Sequence, residues 1–190
     1  MILLIDNHSS YIGKIAEMLD EWKIKFTIKD QKSPLSDINK NKVKGIILSG
    51  GGPNIDKKIN LSMIRADLVS LLDFNLPVLG ICEGHQIISE VFGGEVGKLK
   101  KTINKINKVR LLKKEAIFKG LPDIIEIKED HGRYVKKIPE DFVLAATSKK
   151  DKIESLFHKT KPIFTIQFHP EGSGEFGEKI MKNFIDICNS

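Results

Sequence analysis

The chain opens on an unbroken apolar run, Met1-Ile2-Leu3-Leu4-Ile5, closed by Asp6. A run this short, ended by a charge, predicts a buried strand over 1–6. Residues 10–22 then set Ile12, Ile15, Met18, Leu19 and Trp22 at helical spacing, with Ser9 or Ser10 available as a cap. Residues 23–28 alternate polar and apolar, as a second strand does. Gly45-Ile46-Ile47-Leu48 is a continuous apolar run of the kind found in strands covered on both faces. It leads into Ser49-Gly50-Gly51-Gly52-Pro53, whose composition predicts a loop. Residues 61–73 read as helix, 77–81 as another buried strand, and 84–92 as a helix stopped by Gly93-Gly94.

The second half has a different texture. Short strand-like runs fall at 107–112, 123–128, 142–146 and 163–168, and helix is scarce. From Gly174 to Cys188, the residues Ile180, Met181, Phe184, Ile185 and Cys188 share one face, predicting a closing amphipathic helix. Strands alternating with helices predict an α/β fold: a mostly parallel central sheet with helices on both faces, plus a small antiparallel portion in the second half. A chain of 190 residues suits one domain over 1–190.

Composition narrows the function classes. Hydrophobic residues make up 41%, enough for a real interior. No apolar run approaches the roughly 20 residues that span a bilayer, and the N-terminal run lacks a signal peptide's basic start. The expectation is a soluble cytoplasmic protein with no membrane partner. The net charge of +6 comes from scattered pairs such as Lys57-Lys58, Lys113-Lys114 and Lys149-Lys150. These are not clustered among stacking aromatics, which argues against a nucleic-acid partner. Two cysteines, Cys82 and Cys188, make no disulfide framework. With the five histidines they form no zinc-ligand spacing, so no metal is expected. Cys188 lies on the apolar stripe of the last helix and reads as a core residue.

Cys82 has a different context. In Leu79-Gly80-Ile81-Cys82-Glu83-Gly84-His85-Gln86 it stands where an apolar strand meets a helix, with glycines two residues to either side. That is the pattern of a nucleophile elbow. A helix N-terminus favours the thiolate, lowering a cysteine pKa from about 8.5 into a range of roughly 3.5–7.5. A base can come from Ile166-Gln167-Phe168-His169-Pro170-Glu171, where His169 emerges from the tip of a buried strand. Glu171 is placed to hold the second ring nitrogen. His8, His85, His131 and His158 are weaker candidates; His131 reads as a loop residue. A tetrahedral oxyanion needs backbone donors. The amide of Glu83 is one, and Gly50, Gly51 or Gly52 offers another. A phosphate loop is a poorer reading of 49–53, because no Gly-Lys-Ser/Thr follows and Pro53 lacks an N–H.

The Gly50-Gly51 loop, the Gly80–Gln86 elbow, Gln167-Phe168-His169-Pro170-Glu171 and the opening Leu4-Ile5-Asp6-Asn7 form one motif set. Together they resemble the class I, triad-type glutamine amidotransferases, over nearly the whole chain. Ser49–Ile55, Phe157–Ile163 and the C-terminal helix are most similar to the separate amidotransferase subunits of archaeal-type GMP synthetases. The resemblance implies a flavodoxin-like amidotransferase fold and hydrolysis of glutamine to glutamate and ammonia. It implies Cys82, His169 and Glu171 as the catalytic set, with Gly50, Gly51 and Glu83 around the oxyanion. Gln86 and Gly52 would contact glutamine. The ammonia would pass to a separate ATP-dependent, XMP-activating synthetase; no cofactor is implied in this chain, and ATP and Mg belong to that partner.

Four stretches depart from the family's pattern. Glu83 follows the nucleophile where a small or apolar residue is usual. Leu99-Lys100-Lys101-Thr102-Ile103-Asn104 lacks the glycine of a substrate-facing turn. Asp130-His131-Gly132-Arg133 stands where the GMP group has a Ser-His-x-Asp loop, and the glycine-rich Gly172-Ser173-Gly174-Glu175 follows Glu171. The pocket departures leave open a stand-alone γ-glutamyl hydrolase or peptidase on the same fold. Glu83 leaves open a non-catalytic binding module.

Overall fold

The computed structural model describes residues 1–30, 39–51, 75–149 and 152–190. The helix expected over 61–73 and the candidate Gly52 lie outside the described residues. Among the described residues, nine strands form one sheet in the order β2-β1-β3-β4-β9-β8-β7-β5-β6. The strands are β1 (Ile2–Asn7), β2 (Phe26–Asp30), β3 (Gly45–Gly51), β4 (Val78–Ile81), β5 (Glu95–Leu111), β6 (Ile124–Lys137), β7 (Phe142–Ser148), β8 (Ser155–His158) and β9 (Ile163–Ile166). Among the described residues, three helices accompany them: α1 (Ile12–Glu21), α2 (Glu83–Val91) and α3 (Gly174–Asn189).

The first part of the sheet is parallel: β1 pairs with β2 and β3, β3 with β4, and β4 with β9. Its central strands carry continuous apolar runs, such as Ile2–Ile5 and Ile46–Leu48, because both faces are covered. Ile2, Leu4, Ile47 and Leu79 share a core with Ile15 and Leu19 of α1 and with Ile180, Met181 and Phe184 of α3. Leu3, Ile5, Ile46, Leu48 and Val78 face the other way, onto Ile87 and Ile88 of α2. Cys188 belongs to the first core as expected, and burial pushes its thiol up to about 12.

The α/β expectation holds, but the antiparallel portion is not small. The ladders β9–β8, β8–β7, β7–β5 and β5–β6 are all antiparallel, equal in number to the parallel ones. Polar residues alternate along the 17-residue β5, because this hairpin buries one face only. Such weak alternation hides a long strand in the sequence. Residues 130–133, expected in a loop, are the middle of β6. Opposite them, Lys98 pairs with Arg133 and Ile103 with His131, so residues 99–102 bulge against the single Gly132.

Smaller differences have local causes. Ser49 to Gly51 continue β3 rather than starting a loop, since Asn7 of β1 bonds Ser49 through both its main-chain and side-chain nitrogens. The second strand begins at Phe26, because Lys23 takes a positive φ of 57° after α1. Neither Ser9 nor Ser10 caps α1; Tyr11 occupies that position, and the Ser9 hydroxyl accepts from the Tyr11 amide. The segment after Glu171 is anchored, not loose. The Ser173 hydroxyl donates to the His169 carbonyl and accepts from the Lys128 amide, and α3 starts at Gly174.

Candidate active site

The site lies at the carboxyl ends of β3, β4 and β9, where open α/β sheets place their ligands. Cys82 joins β4 to α2 with φ 50° and ψ −98°, a conformation that costs energy for any residue with a side chain. The flanking glycines make that turn possible. A Cβ on Gly80 would sit 2.8 Å from the Gly84 backbone, and one on Gly84 would sit 2.5 Å from the Leu48 carbonyl oxygen. The main-chain N–H of Cys82 donates to the Ile166 carbonyl, 2.8 Å away, tying the elbow to β9. The thiol is thereby held at the N-terminus of α2, beside unpaired N–H groups.

His169 follows β9 and is 1% exposed. Its amide donates to the Lys128 carbonyl of β6 at 2.8 Å. Pro170–Gly172 form a short 3₁₀ turn, against which α3 packs so closely that a Cβ on Gly177 would overlap the Pro170 carbonyl. This turn brings Glu171 back to its neighbour: His169 Nδ1–H donates to Glu171 Oε1 at 2.8 Å, with both side chains buried. Nε2 is buried without a hydrogen-bond partner, and the Cys82 sulfur is among the groups acting on the ring. Burial alone would lower the ring's affinity for a proton. The Cys82 sulfur and the Glu171 carboxylate more than offset that, raising His169 from 6.5 to about 10. The Cys82 sulfur and the Glu171 carboxylate thus favour the imidazolium form of His169.

Gly50 marks how close the parts are. A Cβ there would lie 2.8 Å from His169 Cε1 and 3.5 Å from Cys82 Cβ, so both side chains border the space that glycine leaves open. Gly51 ends β3 beside Asn7, and Glu83 supplies the first amide of α2. Gln86, one turn along α2, donates from Nε2 to the Arg133 carbonyl at 3.0 Å and to Gln167 Oε1 at 3.2 Å. The Glu83 carboxyl sits in the first turn of α2, near Arg133 and Glu90. Burial raises it from 4.5 to about 7, Arg133 opposes the rise and Glu90 adds to it.

Three participants escaped sequence reasoning. The Tyr11 ring lies 4.5 Å from the His169 ring, and its hydroxyl donates to Asp130 Oδ2 at 3.0 Å. Burial, then Asp130, raise that phenol to about 12. The Asp130 carbonyl oxygen lies 3.8 Å from Cys82 Sγ, and Gln167 Nε2 lies 3.7 Å from it. Tyr11, at the start of α1, carries no local signal; Asp130 lies in one of the stretches that depart from the family's pattern, but only the β5–β6 hairpin brings it to the sulfur. Gln167 stands two residues before His169 in the same motif, but its direction depends on packing. His85 is buried on α2 against Thr165, and burial lowers it to about 3. His8 is paired with Asp30 at the surface. Neither reaches the thiol.

A thiol, an imidazole and a carboxylate arranged beside helix-terminal amides can open an acyl bond through a covalent thioester. The family model for class-I glutamine amidotransferase matches residues 3–188, and the chain belongs to that family. Among its relatives, the glutamine-hydrolyzing GMP synthase subunit of Methanocaldococcus jannaschii is 40% identical, over 99% of this chain and 97% of that protein. The corresponding GMP synthase subunit of Pyrococcus furiosus is 39% identical, over 99% and 98% respectively. The crystal structure of a GMP synthase subunit from Thermoplasma acidophilum superposes with a TM-score of 0.89 at 35% identity. The match covers 99% of this chain and 93% of that one.

Proposed function

We propose that this chain hydrolyses glutamine through a Cys82 thioester and delivers the ammonia to a separate synthetase subunit that converts XMP to GMP. The observation that carries the chemistry is the shared space beside Gly50, bordered by both Cys82 and His169. The GMP synthase relatives support the pathway, since the chain spans nearly their full length. The one continuous sheet supports reading residues 1–190 as a single amidotransferase domain.

In this mechanism the Cys82 thiolate attacks the carboxamide carbon of glutamine. The oxyanion is held by the Glu83 amide and by an amide of Gly50 or Gly51. His169 gives its proton to the departing nitrogen, and ammonia leaves. Water, deprotonated by the same imidazole, then cleaves the thioester to release glutamate. Glu171 keeps the ring oriented and stabilises its charged form. Gln86 helps to hold the amino-acid end of the substrate. No cofactor is called for in this chain; ATP and Mg act on the synthetase, and the pair works in the cytoplasm. Among the described residues no helix is long and apolar enough to cross a membrane.

The test is ammonia release from glutamine by the chain alone and with an XMP-activating synthetase, ATP and Mg. Release should rise with the partner and vanish in Cys82→Ala. Preferential turnover of γ-glutamyl peptides, or hydrolysis that survives Cys82→Ala, would overturn this reading.

A further inference from the structure

Two buried amides connect β6 to the sulfur. Gln86 is 5% exposed and Gln167 is fully buried. Which end of an amide is nitrogen follows from what faces it. The Arg133 main-chain oxygen can only accept, so the Gln86 atom 3.0 Å from it is the nitrogen. The second hydrogen on that nitrogen needs an acceptor, and 3.2 Å away this is Gln167 Oε1. Gln167 Nε2 is therefore the end turned towards Cys82 Sγ, at 3.7 Å. A single backbone carbonyl sets the polarity of the relay, and its far end is an N–H aimed at sulfur.

We propose that Gln167 is a further catalytic residue, donating a hydrogen bond that holds the Cys82 sulfur as thiolate, and that Gln86 is the positioning residue that fixes its direction. The assignment rests on Cys82 being the nucleophile. The main-chain carbonyl of Asp130, also near the sulfur, works in the opposite sense. The Asp130 carbonyl, 3.8 Å away, accepts from the neutral thiol and repels the anion. When the thiol proton passes to His169, the contact with Asp130 loses its hydrogen. The contact with Gln167 becomes charge-assisted and strengthens. Gln167 thus acts on the ionised form, the one that attacks carbon.

Alkylation of Cys82 by iodoacetamide, located by mass spectrometry and followed across pH in the full chain, tests this without glutamine or a partner. Gln167→Leu should slow alkylation about tenfold near pH 6.5, the size expected for losing a hydrogen bond to a charged group. The rate near pH 10, where the thiol is ionised regardless, should not change. A purely structural role would shift neither rate or both alike. Gln86→Leu releases the Gln167 amide to turn and should give the same shift at about threefold. An unchanged profile in Gln167→Leu overturns the assignment; if that variant does not fold, an unchanged profile in Gln86→Leu overturns it instead. Ammonia release is read alongside. A shifted profile in a chain that never hydrolyses glutamine would refute the amidotransferase reading and leave the relay standing. An unshifted profile with normal hydrolysis would do the reverse.

Discussion

Replacing Glu83 by glutamine should stabilise the protein, and only above the pH at which the carboxyl ionises. Glu83 opens α2 directly after Cys82, and burial lifts its carboxyl from 4.5 to about 7, with Glu90 adding and Arg133 opposing. The folded state therefore keeps this proton to higher pH than the unfolded chain does. Stability contributed by Glu83 falls as pH rises from about 4.5 to about 7, and stays low above that. The full change corresponds to about 3 kcal/mol. The carboxyl keeps some solvent contact, and screening reduces the figure to about 1–2 kcal/mol. Glu83→Gln keeps the shape of the side chain and removes the charge. Urea unfolding should give matching stabilities for the two proteins near pH 4, with the variant ahead by about 1–2 kcal/mol near pH 8. An equal difference at both pH values, or a wild type that is the more stable near pH 8, would refute the reasoning. It would mean that the carboxyl finds enough compensation in Arg133 to ionise freely.

Gly50→Ala puts a methyl group 2.8 Å from His169 Cε1, so the imidazole must move. Glutamine turnover should fall about 10–100-fold with the fold retained, and an unchanged kcat would refute the crowding. Glu171→Gln keeps the shape of the buried partner but not its charge, and turnover should drop about 10²–10⁴-fold. His169, raised to about 10 by Cys82 and Glu171 against the effect of burial, should also titrate lower in that variant, as read by NMR of the ring. Because the folded value is raised, the stability tied to this proton is complete below about pH 6.5 and is lost as pH climbs through about 10. Glu171→Gln should flatten that loss, and a slope identical to wild type would argue against the ion pair.

Much of the site was legible because its causes are local. Gly80 and Gly84 announce a turn too tight for side chains, and the structure shows what each would strike: the Gly84 backbone and Leu48. His169 and Glu171 meet across one proline-stiffened turn, so two residues of spacing suffice to bring them together. The parallel strands declare themselves because burial on both faces demands unbroken apolar runs. Cys82 and His169 could be paired in advance only as two chemistries that need each other; their meeting beside Gly50 is a fact of strand order, β4 next to β9. The β5–β6 hairpin was legible only in part: strand-like runs at 107–112 and 123–128 mark its far end, but the full length of both strands and their contacts with the site were hidden. One exposed face dilutes its hydrophobic pattern, and a four-residue bulge against Gly132 breaks its register. That curl alone decides that Tyr11 bonds Asp130, that the Asp130 carbonyl faces the sulfur opposite Gln167, and that Arg133 orients Gln86. Those contacts join residues up to 119 positions apart, and no local pattern encodes such a distance.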